Sequence, residues 1–176
     1  RGSPIFEGYS DLDSAFLEKF TREKGIKCFA IALGNMKLRK VLFTFFNLQN
    51  WKSADIIHPN AIVSANAHLG DGVLVEAGCL ITPNPWIGSN VVINTGTQVN
   101  HDNYIEDHVF LASGIVLSGG VTIGENTLVD DGVIVTLGKK IGKNCIIGAG
   151  SVVTKDIPDN VIAYGNPCKI VRDNKV

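Results

Sequence analysis

Aliphatic residues recur at every sixth position along most of this chain. From Ile57 to Val153, all seventeen positions reached in steps of six hold Ile, Val or Leu. The position four residues after each of them is usually small or β-branched, with Asn103 and Lys139 as exceptions. A period of six is neither the 3.6-residue repeat of an α-helix nor the two-residue alternation of a strand. The pattern therefore predicts a solenoid of short strands joined by turns.

Hexapeptide repeats of this kind build a parallel β-helix. Each hexad supplies one short strand and one turn, and three hexads close a triangular coil of about 18 residues. The aliphatic residue points into the prism, and the backbone groups of one coil pair with those of the next coil. Seventeen hexads predict nearly six coils. We therefore expect a mainly β fold.

The first 54 residues have a different pattern, which predicts a partial α/β unit. Ser10 or Asp11 can cap a first helix that ends at Gly25. The apolar side of this helix would hold Leu12, Phe16 and Phe20. The apolar run from residue 26 to residue 33 has the length of a strand.

A second helix is predicted from about Met36. Its apolar side holds Leu38, Val41, Leu42, Phe45 and Phe46. The turn before it, Gly34 and Asn35, joins a strand to a helix start, where free N–H groups can bind an anion. The same residues are also typical of an ordinary turn between a strand and a helix, so both interpretations stay open.

The composition changes where the hexads begin. Seven of the eight phenylalanines lie in residues 1–50, and fifteen of the nineteen glycines follow residue 50. We expect a partial α/β unit over residues 1–54, the β-helix over residues 55–155 and a C-terminal cap over residues 156–176. Because each end of a stack exposes unpaired backbone groups, the α/β unit should cover the first coil and the tail should cover the last.

Charge and composition exclude several classes of protein. The 176 residues carry a net charge of −1, with 45% hydrophobic and 19% charged residues. These values exclude disorder and give no reason to expect nucleic acid or a membrane surface as a partner. No apolar run reaches the roughly 18 residues of a membrane span, and we expect no signal peptide. Four cysteines without metal-ligand or redox spacing indicate reduced thiols in a cytoplasmic protein: Cys28, Cys79, Cys145 and Cys168.

The register of the hexads makes His101 a candidate general base. It is the third residue of its hexad and should point outward. Residues 18 positions apart stack in neighbouring coils about 4.8 Å apart, which places His101 between Pro83 and Gly119. Glycine leaves the space beside the imidazole open and exposes a backbone N–H. Acyl transfer needs at least a general base and a hydrogen-bond donor for the oxyanion, and this pair could supply both. Asp102 or Asn100 can orient the ring.

Other interpretations of the histidines were weighed against this one. An outward histidine beside an aspartate is also typical of a solvated turn, which remains the alternative for His101. His58 and His68 lie in the first coils, where we expect structural roles. His108 lies seven residues after His101, on the next strand, and no third histidine joins the pair. Since a zinc site needs three converging ligands or more, we expect no metal.

Several segments of the chain carry a family resemblance. They are Ile31–Asn35 followed by Arg39, Ile93–Thr95, Val99–Asp102, Ser118–Gly124 and Tyr164–Lys169. Together they resemble the bacterial sugar-nucleotide acetyltransferases of the sialic-acid O-acetyltransferase and UDP-bacillosamine N-acetyltransferase type, which are left-handed β-helix acyltransferases. The resemblance covers nearly the whole chain, and it implies that residues 1–54 are part of a domain like the small nucleotide-binding domain of this family. The hexads alone indicate only the fold, whereas the Asn-Thr, His-Asp and Gly-Gly set is typical of this branch.

The resemblance implies roles for the residues around the acceptor. His101 would deprotonate a sugar amine or hydroxyl, Asp102 would raise its basicity, and Asn94 would position the base or the acceptor. Gly34 would lie near the nucleotide of the acceptor. The amine would attack acetyl-CoA directly, without a covalent enzyme intermediate.

The resemblance also implies a path for acetyl-CoA. The amide of Gly119 would hold the thioester carbonyl, and the following coils would contact the pantetheine arm and the phosphates. The residues implied on this path are Ser118, Gly119, Gly148, Ala149 and Lys169, with Arg172 as the alternative to Lys169. Enzymes of this type are typically homotrimers whose active site lies between neighbouring prisms.

The sequence departs from the pattern of the family at three places. Relatives usually begin with a strand and a Gly-rich, His-containing turn that grips the nucleotide sugar, and this sequence lacks that turn. Phe110 stands where relatives often carry a second histidine, and Asn100 stands where they often carry an acidic residue. The resemblance as a whole leads us to expect N-acetylation of a nucleotide-linked amino sugar. The missing turn favours the alternative, which is O-acetylation of a sugar hydroxyl, a serine or another small acceptor. A zinc hydratase or an inactive scaffold on the same prism is the third class.

Overall fold

The structure is a computed structural model that combines a small α/β unit with a long β-helix. It describes Lys19, residues 21–25 and residues 27–175. Of the predicted first helix, residues 21–24 are helical, and Gly25 follows with a φ of +67°. The predicted caps of that helix, Ser10 and Asp11, and its apolar residues Leu12, Phe16 and Phe20 lie outside the described residues.

Helix α1 (Met36–Leu48) begins where the sequence predicts it. Asn35 caps the helix, because its side chain accepts the N–H of Leu38 at 3.0 Å. The helix lies between two short strands that pair in parallel. These strands are β1 (Cys28–Phe29) and β2 (Lys52–Ser53).

Seventeen two-residue strands, β3 to β19, form a left-handed β-helix of nearly six coils and three faces, as predicted. Face 1 consists of β3 (Ile56–Ile57), β6 (Leu74–Val75), β9 (Val92–Ile93), β12 (Phe110–Leu111), β15 (Leu128–Val129) and β18 (Ile146–Ile147). Face 2 consists of β4 (Ile62–Val63), β7 (Leu80–Ile81), β10 (Gln98–Val99), β13 (Val116–Leu117), β16 (Ile134–Val135) and β19 (Val152–Val153). Face 3 consists of β5 (His68–Leu69), β8 (Trp86–Ile87), β11 (Tyr104–Ile105), β14 (Thr122–Ile123) and β17 (Lys140–Ile141).

Neighbouring coils are related by the 18-residue register that the hexads predict. Within each face the strands pair in parallel, and Val99, for example, is the partner of Ile81 below and of Leu117 above. The turns between the faces form three edges of the prism, named here after the faces that they join: edge 1–2, edge 2–3 and edge 3–1. This register determines which side chains meet at each edge.

The aliphatic series fills the inside of the prism. Every member from Val75 to Val153 is at most 2% exposed. Full burial of one such side chain contributes about 1.5–3 kcal/mol, so the series is the main source of stability. The exceptional Asn103 is buried as well, because its Oδ1 accepts the N–H of Val121 at 2.6 Å.

Asparagines support edge 3–1 through left-handed turn residues and a ladder of side-chain hydrogen bonds. In four successive coils, the second turn residue on this edge has a positive φ, a conformation that asparagine tolerates well. These residues are Asn90, His108, Asn126 and Asn144. Asn126 Nδ2 donates to Asn144 Oδ1 at 3.0 Å, and Asn90 Nδ2 lies 2.8 Å from Nδ1 of His108. His108 thus occupies an asparagine position in the ladder, which gives it a structural role.

Helix α1 packs along edge 3–1. The Phe43 ring meets the ring of His108 edge-on, with 5.8 Å between the centroids. Arg39 is fully buried and its Nη2 donates to the carbonyl oxygens of His108 at 2.9 Å and Val109 at 3.4 Å. Burial lowers the pKa of Arg39 to about 10.

Helix α1 lies against the side of the prism, and Ile57 in the first coil is 44% exposed. Coverage of the first coil by the whole α/β unit stays a prediction, because most of residues 1–26 lie outside the described residues. The packing of α1 corrects one expectation. Val41 was expected on the apolar side of the helix, but it is 56% exposed. The reason is that the helix turns Arg39, Phe43 and Phe46 toward its neighbours.

The tail adds a hairpin to the last coil. Strand β20 (Val161–Tyr164) pairs in parallel with β18, and β21 (Lys169–Asp173) returns antiparallel to it. Ile157, Val161 and Ala163 are buried and extend the core. This hairpin therefore lies against the last coil.

The structure also shows the environment of the four cysteines and the character of the described helices. Cys79, Cys145 and Cys168 are buried free thiols, and burial raises their pKa, whereas Cys28 is exposed. Among the described helices, none has the length and apolar character to pass through a bilayer.

Candidate active site

His101 and Asp102 form a hydrogen-bonded pair on edge 2–3. Nδ1 of His101 lies 2.9 Å from Oδ2 of Asp102, and each side chain is about 60% exposed. Asp102 is the second turn residue and has a φ of +58°, which few residues other than Gly and Asn adopt readily. Its backbone conformation turns the carboxylate beside the ring of His101.

The carboxylate of Asp102 remains ionised well into the acidic range. Its hydrogen bond with His101, and next its bond from Asn84 Nδ2 at 3.4 Å, lower the pKa of Asp102. A carboxylate accepts the proton on Nδ1 of a neutral imidazole, which leaves the lone pair on Nε2. The pair therefore has the arrangement of a general base whose tautomer is fixed by its neighbour.

Gly119 lies against the ring of His101, as the 18-residue register predicts. A Cβ at this position would stand 2.4 Å from both Cε1 and Nε2 of the imidazole, although the φ of Gly119 is not left-handed. Gly119 is buried, and its neighbour Gly120 donates its N–H to the carbonyl oxygen of His101 at 2.9 Å. Position 119 thus requires glycine, because any side chain there would clash with the imidazole of His101.

The structure distinguishes between the two residues that could orient the imidazole. Asn100 donates its Nδ2 hydrogen to the carbonyl oxygen of Leu117 at 2.8 Å, so its amide is engaged with the backbone. Asp102 is the hydrogen-bond partner of the ring. Asn84, which sequence reasoning missed, supports Asp102 from the coil below, and its position 18 residues earlier could have identified it.

The predicted site residues fall on two edges of the prism. His101, Asp102, Ser118 and Gly119 come together on edge 2–3. The other predicted set, Asn94, Gly148 and Ala149, lies on edge 1–2. Within one chain the structure therefore does not bring the second set to the ring of His101.

Gly34 and Lys169 lie outside both of these sets. Gly34 is exposed, directly before the cap of α1, and a Cβ there would meet no atom within 4 Å. Lys169 is exposed at the start of β21, and Arg172 is exposed on the same strand. A groove of about 740 Å³ between α1 and face 1 contains none of the predicted site residues.

The remaining histidines make local contacts. His58 Nδ1 accepts the N–H of Asn60 at 3.1 Å, and His68 stacks on Trp86 with 5.7 Å between the ring centroids. In the part of the chain that the structure describes, no three His, Cys, Asp or Glu side chains converge as metal ligands would. The His101–Asp102 pair beside Gly119 fits acyl transfer by a positioned base.

Comparison with known protein families identifies the hexapeptide repeat. The model of the hexapeptide repeat of succinyl-transferase matches residues 103–137 and 138–155. No curated protein sequence matches the chain significantly.

Solved structures give closer similarities. A histidine-to-asparagine variant of perosamine N-acetyltransferase from Caulobacter crescentus, in complex with CoA and GDP-perosamine, is 38% identical with a TM-score of 0.87. That match covers 92% of this chain and 76% of the other chain. The acetyltransferase domain of PglB from Neisseria gonorrhoeae, in complex with acetyl coenzyme A, is 31% identical with a TM-score of 0.79, over 81% and 69% of the two chains. WeeI from Acinetobacter baumannii is 27% identical with a TM-score of 0.83, over 89% and 76%.

Proposed function

Because the chain belongs to the hexapeptide-repeat sugar acetyltransferases, we propose that it transfers the acetyl group of acetyl-CoA to the amino group of a nucleotide-linked amino sugar. The observation that carries this proposal is the His101–Asp102 pair beside Gly119. The substrates bound by the relatives support the choice of donor and acceptor, since CoA and GDP-perosamine occupy one of them and acetyl coenzyme A another.

The proposed reaction needs one base and one oxyanion donor. Nε2 of His101 takes a proton from the amine as its nitrogen attacks the thioester carbon. The N–H of Gly119 stabilises the negative charge that develops on the thioester oxygen. Asp102 stabilises the imidazolium that forms. When the C–S bond breaks, the imidazolium returns the proton to the CoA thiolate, and the products are the acetamido sugar and CoA.

The second set of predicted residues fits a site built from two subunits. We propose a homotrimer in which Asn94, Gly148 and Ala149 on edge 1–2 of one prism face edge 2–3 of its neighbour. The separation of the two sets on different edges of a single chain supports this arrangement. Asn94 would then position the acceptor or the base, and Gly148 and Ala149 would contact the pantetheine arm.

The outer parts of the substrates are assigned by the same resemblance. We propose that Gly34 lies near the nucleotide of the acceptor, that Ser118 lies beside the thioester, and that Lys169 or Arg172 meets the phosphates of CoA. Both cations are exposed on β21, which supports contact with a charged ligand. The reduced thiols and the small-molecule substrates fit an enzyme of the cytoplasm.

The test uses purified protein, acetyl-CoA and a panel of GDP- and UDP-linked amino sugars, with free-thiol release as the assay. We expect turnover with at least one amino sugar and a fall in kcat of at least ~100-fold in His101→Ala, with unchanged affinity for CoA. His58→Ala is the matched control, because His58 lies in the first coil and makes a local turn contact. Near-normal turnover of His101→Ala would contradict the base role, and turnover with hydroxyl acceptors alone would contradict N-transfer.

A further inference from the structure

At edges 1–2 and 3–1 of the prism, some first-turn N–H groups donate to side-chain oxygens, among them those of Ser89, Ser113 and Lys143. In several coils the oxygen belongs to the residue stacked on that turn in the next coil. These pairs are Asp71 N with Ser89 Oγ at 3.2 Å, Ser89 N with Asp107 Oδ1 at 2.7 Å, Ser113 N with Asp131 Oδ1 at 2.9 Å and Lys143 N with Asp159 Oδ1 at 2.8 Å. An aspartate stacked on a turn in the next coil therefore accepts the first N–H of that turn, as Asp107, Asp131 and Asp159 do.

Edge 2–3 lacks such a partner above Gly119. The residue stacked 18 positions later is Leu137, whose side chain offers no hydrogen-bond acceptor. The carbonyl oxygen of Gly119 accepts the N–H of Gly138 at 3.0 Å, but among the described residues no acceptor lies on the N–H of Gly119. The N–H of Gly119 is therefore available to an acceptor from outside the chain.

Leu137 contributes little to the packing of its own prism. Leu137 is 68% exposed at a turn, so its side chain adds little to the core. An Asp or Asn at 137 would repeat the arrangement of the other edges and occupy the N–H of Gly119. A carboxylate forms a stronger hydrogen bond than a neutral thioester oxygen and would compete with it directly.

We propose that Leu137 is a positioning residue that keeps the N–H of Gly119 unoccupied, so that it can bind the thioester oxygen of acetyl-CoA. This inference rests on the proposed function, and it adds a residue that acts through Gly119 without touching the reacting atoms. It predicts that the polarity of position 137 controls turnover, whereas its size has little influence.

The test compares polar and apolar substitutions at this one position. Leu137→Asp and Leu137→Asn should lower kcat by about 10²-fold, the loss associated with removing one oxyanion donor, with little change in KM for acetyl-CoA. Leu137→Ala and Leu137→Met should stay within about threefold of the unmodified protein, since neither side chain carries an oxygen. Lys155→Asp is the control for added charge at the same edge, and it should leave kcat unchanged.

A binding measurement separates this inference from the proposed function, because it needs no acceptor. In protein labelled with ¹⁵N-glycine, acetyl-CoA should shift the Gly119 amide signal of the unmodified protein and of Leu137→Ala. The signal of Leu137→Asp should already be displaced and should not respond. An identical response in Leu137→Asp, or equal losses of kcat in the Ala and Asp variants, would overturn the role of Leu137. A Gly119 response without transfer to any amino sugar would contradict the proposed function alone.

Discussion

Replacing Gly119 by alanine should disable the enzyme through the position of a single ring. The added methyl would stand 2.4 Å from Cε1 and Nε2 of His101 and 3.1 Å from Cδ2. Since non-bonded carbons settle at about 3.5–4.0 Å, the imidazole must move by roughly 1 Å or more. A shift of about 1 Å in a catalytic group can lower the rate about 10²-fold, so we expect kcat to fall by that factor.

The fold should not be affected by this change. The side chain of His101 is 61% exposed, so the ring can swing into solvent without disturbing the buried aliphatic series. The melting temperature of Gly119→Ala should therefore match that of the unmodified protein, while free-thiol release reports the loss of turnover. In a background of His101→Ala, the second substitution should lower turnover no further, because the ring is no longer there to be displaced.

A second glycine provides the matched control. Gly25 has a φ of +67° and lies outside the prism, and a Cβ there would meet no atom within 4 Å. Asparagine tolerates that conformation, so Gly25→Asn should retain full turnover. If Gly119→Ala keeps more than about half of the normal kcat, or if it loses activity only in proportion to lost stability, then the ring does not work from the position described here.

Three further variants test how the pair and the helix are held. Asp102→Asn keeps the size but removes the anion beside His101, so kcat should fall by about 10- to 100-fold in the thiol assay, with unchanged melting temperature. Arg39→Ala should destabilise the protein by about 2–4 kcal/mol in denaturant unfolding, because a buried side chain and its bonds to two carbonyl oxygens are lost; an unchanged midpoint would show that α1 does not depend on this anchor. Lys40 lies 2.7 Å from Glu125 and lowers the pKa of that carboxyl, so the pair stabilises the fold above the usual carboxyl range and stops doing so as pH falls through the lowered value. The stability difference between the unmodified protein and Glu125→Gln should be below about 1 kcal/mol at neutral pH and absent in strong acid, and a difference that persists in acid would contradict the ion pair.

The sequence was sufficient to predict the prism and one edge of its candidate site. A strict six-residue period fixes an 18-residue register, and that register alone places Gly119 above His101. The choice between Asp102 and Asn100 as the partner of the ring required the structure, because both flank His101 and only side-chain geometry separates them.

The packing of α1 could not be predicted in the same way. The helix carries apolar residues on several sides, and the side that it buries includes Arg39, a cation that sequence patterns assign to the surface. The predicted unit boundaries after residues 54 and 155 stay a proposal, although β3 starts at Ile56 and β19 ends at Val153.

The sequence could not show whether Asn94 and His101 belong to one site, because they lie on different edges of the prism. Residues on different edges of one prism meet only if a second prism lies alongside, and contacts between chains leave no trace in the period of a single chain. The register assigns each residue to an edge, and the arrangement of the edges depends on the assembly.

The most direct test of the account is a crystal structure of the protein with bound acetyl-CoA. The account predicts the thioester oxygen at about 2.7–3.1 Å from the N–H nitrogen of Gly119, with Nε2 of His101 facing the side from which an amine would attack. A thioester bound away from edge 2–3, or an oxygen held by a group other than the Gly119 amide, would contradict it.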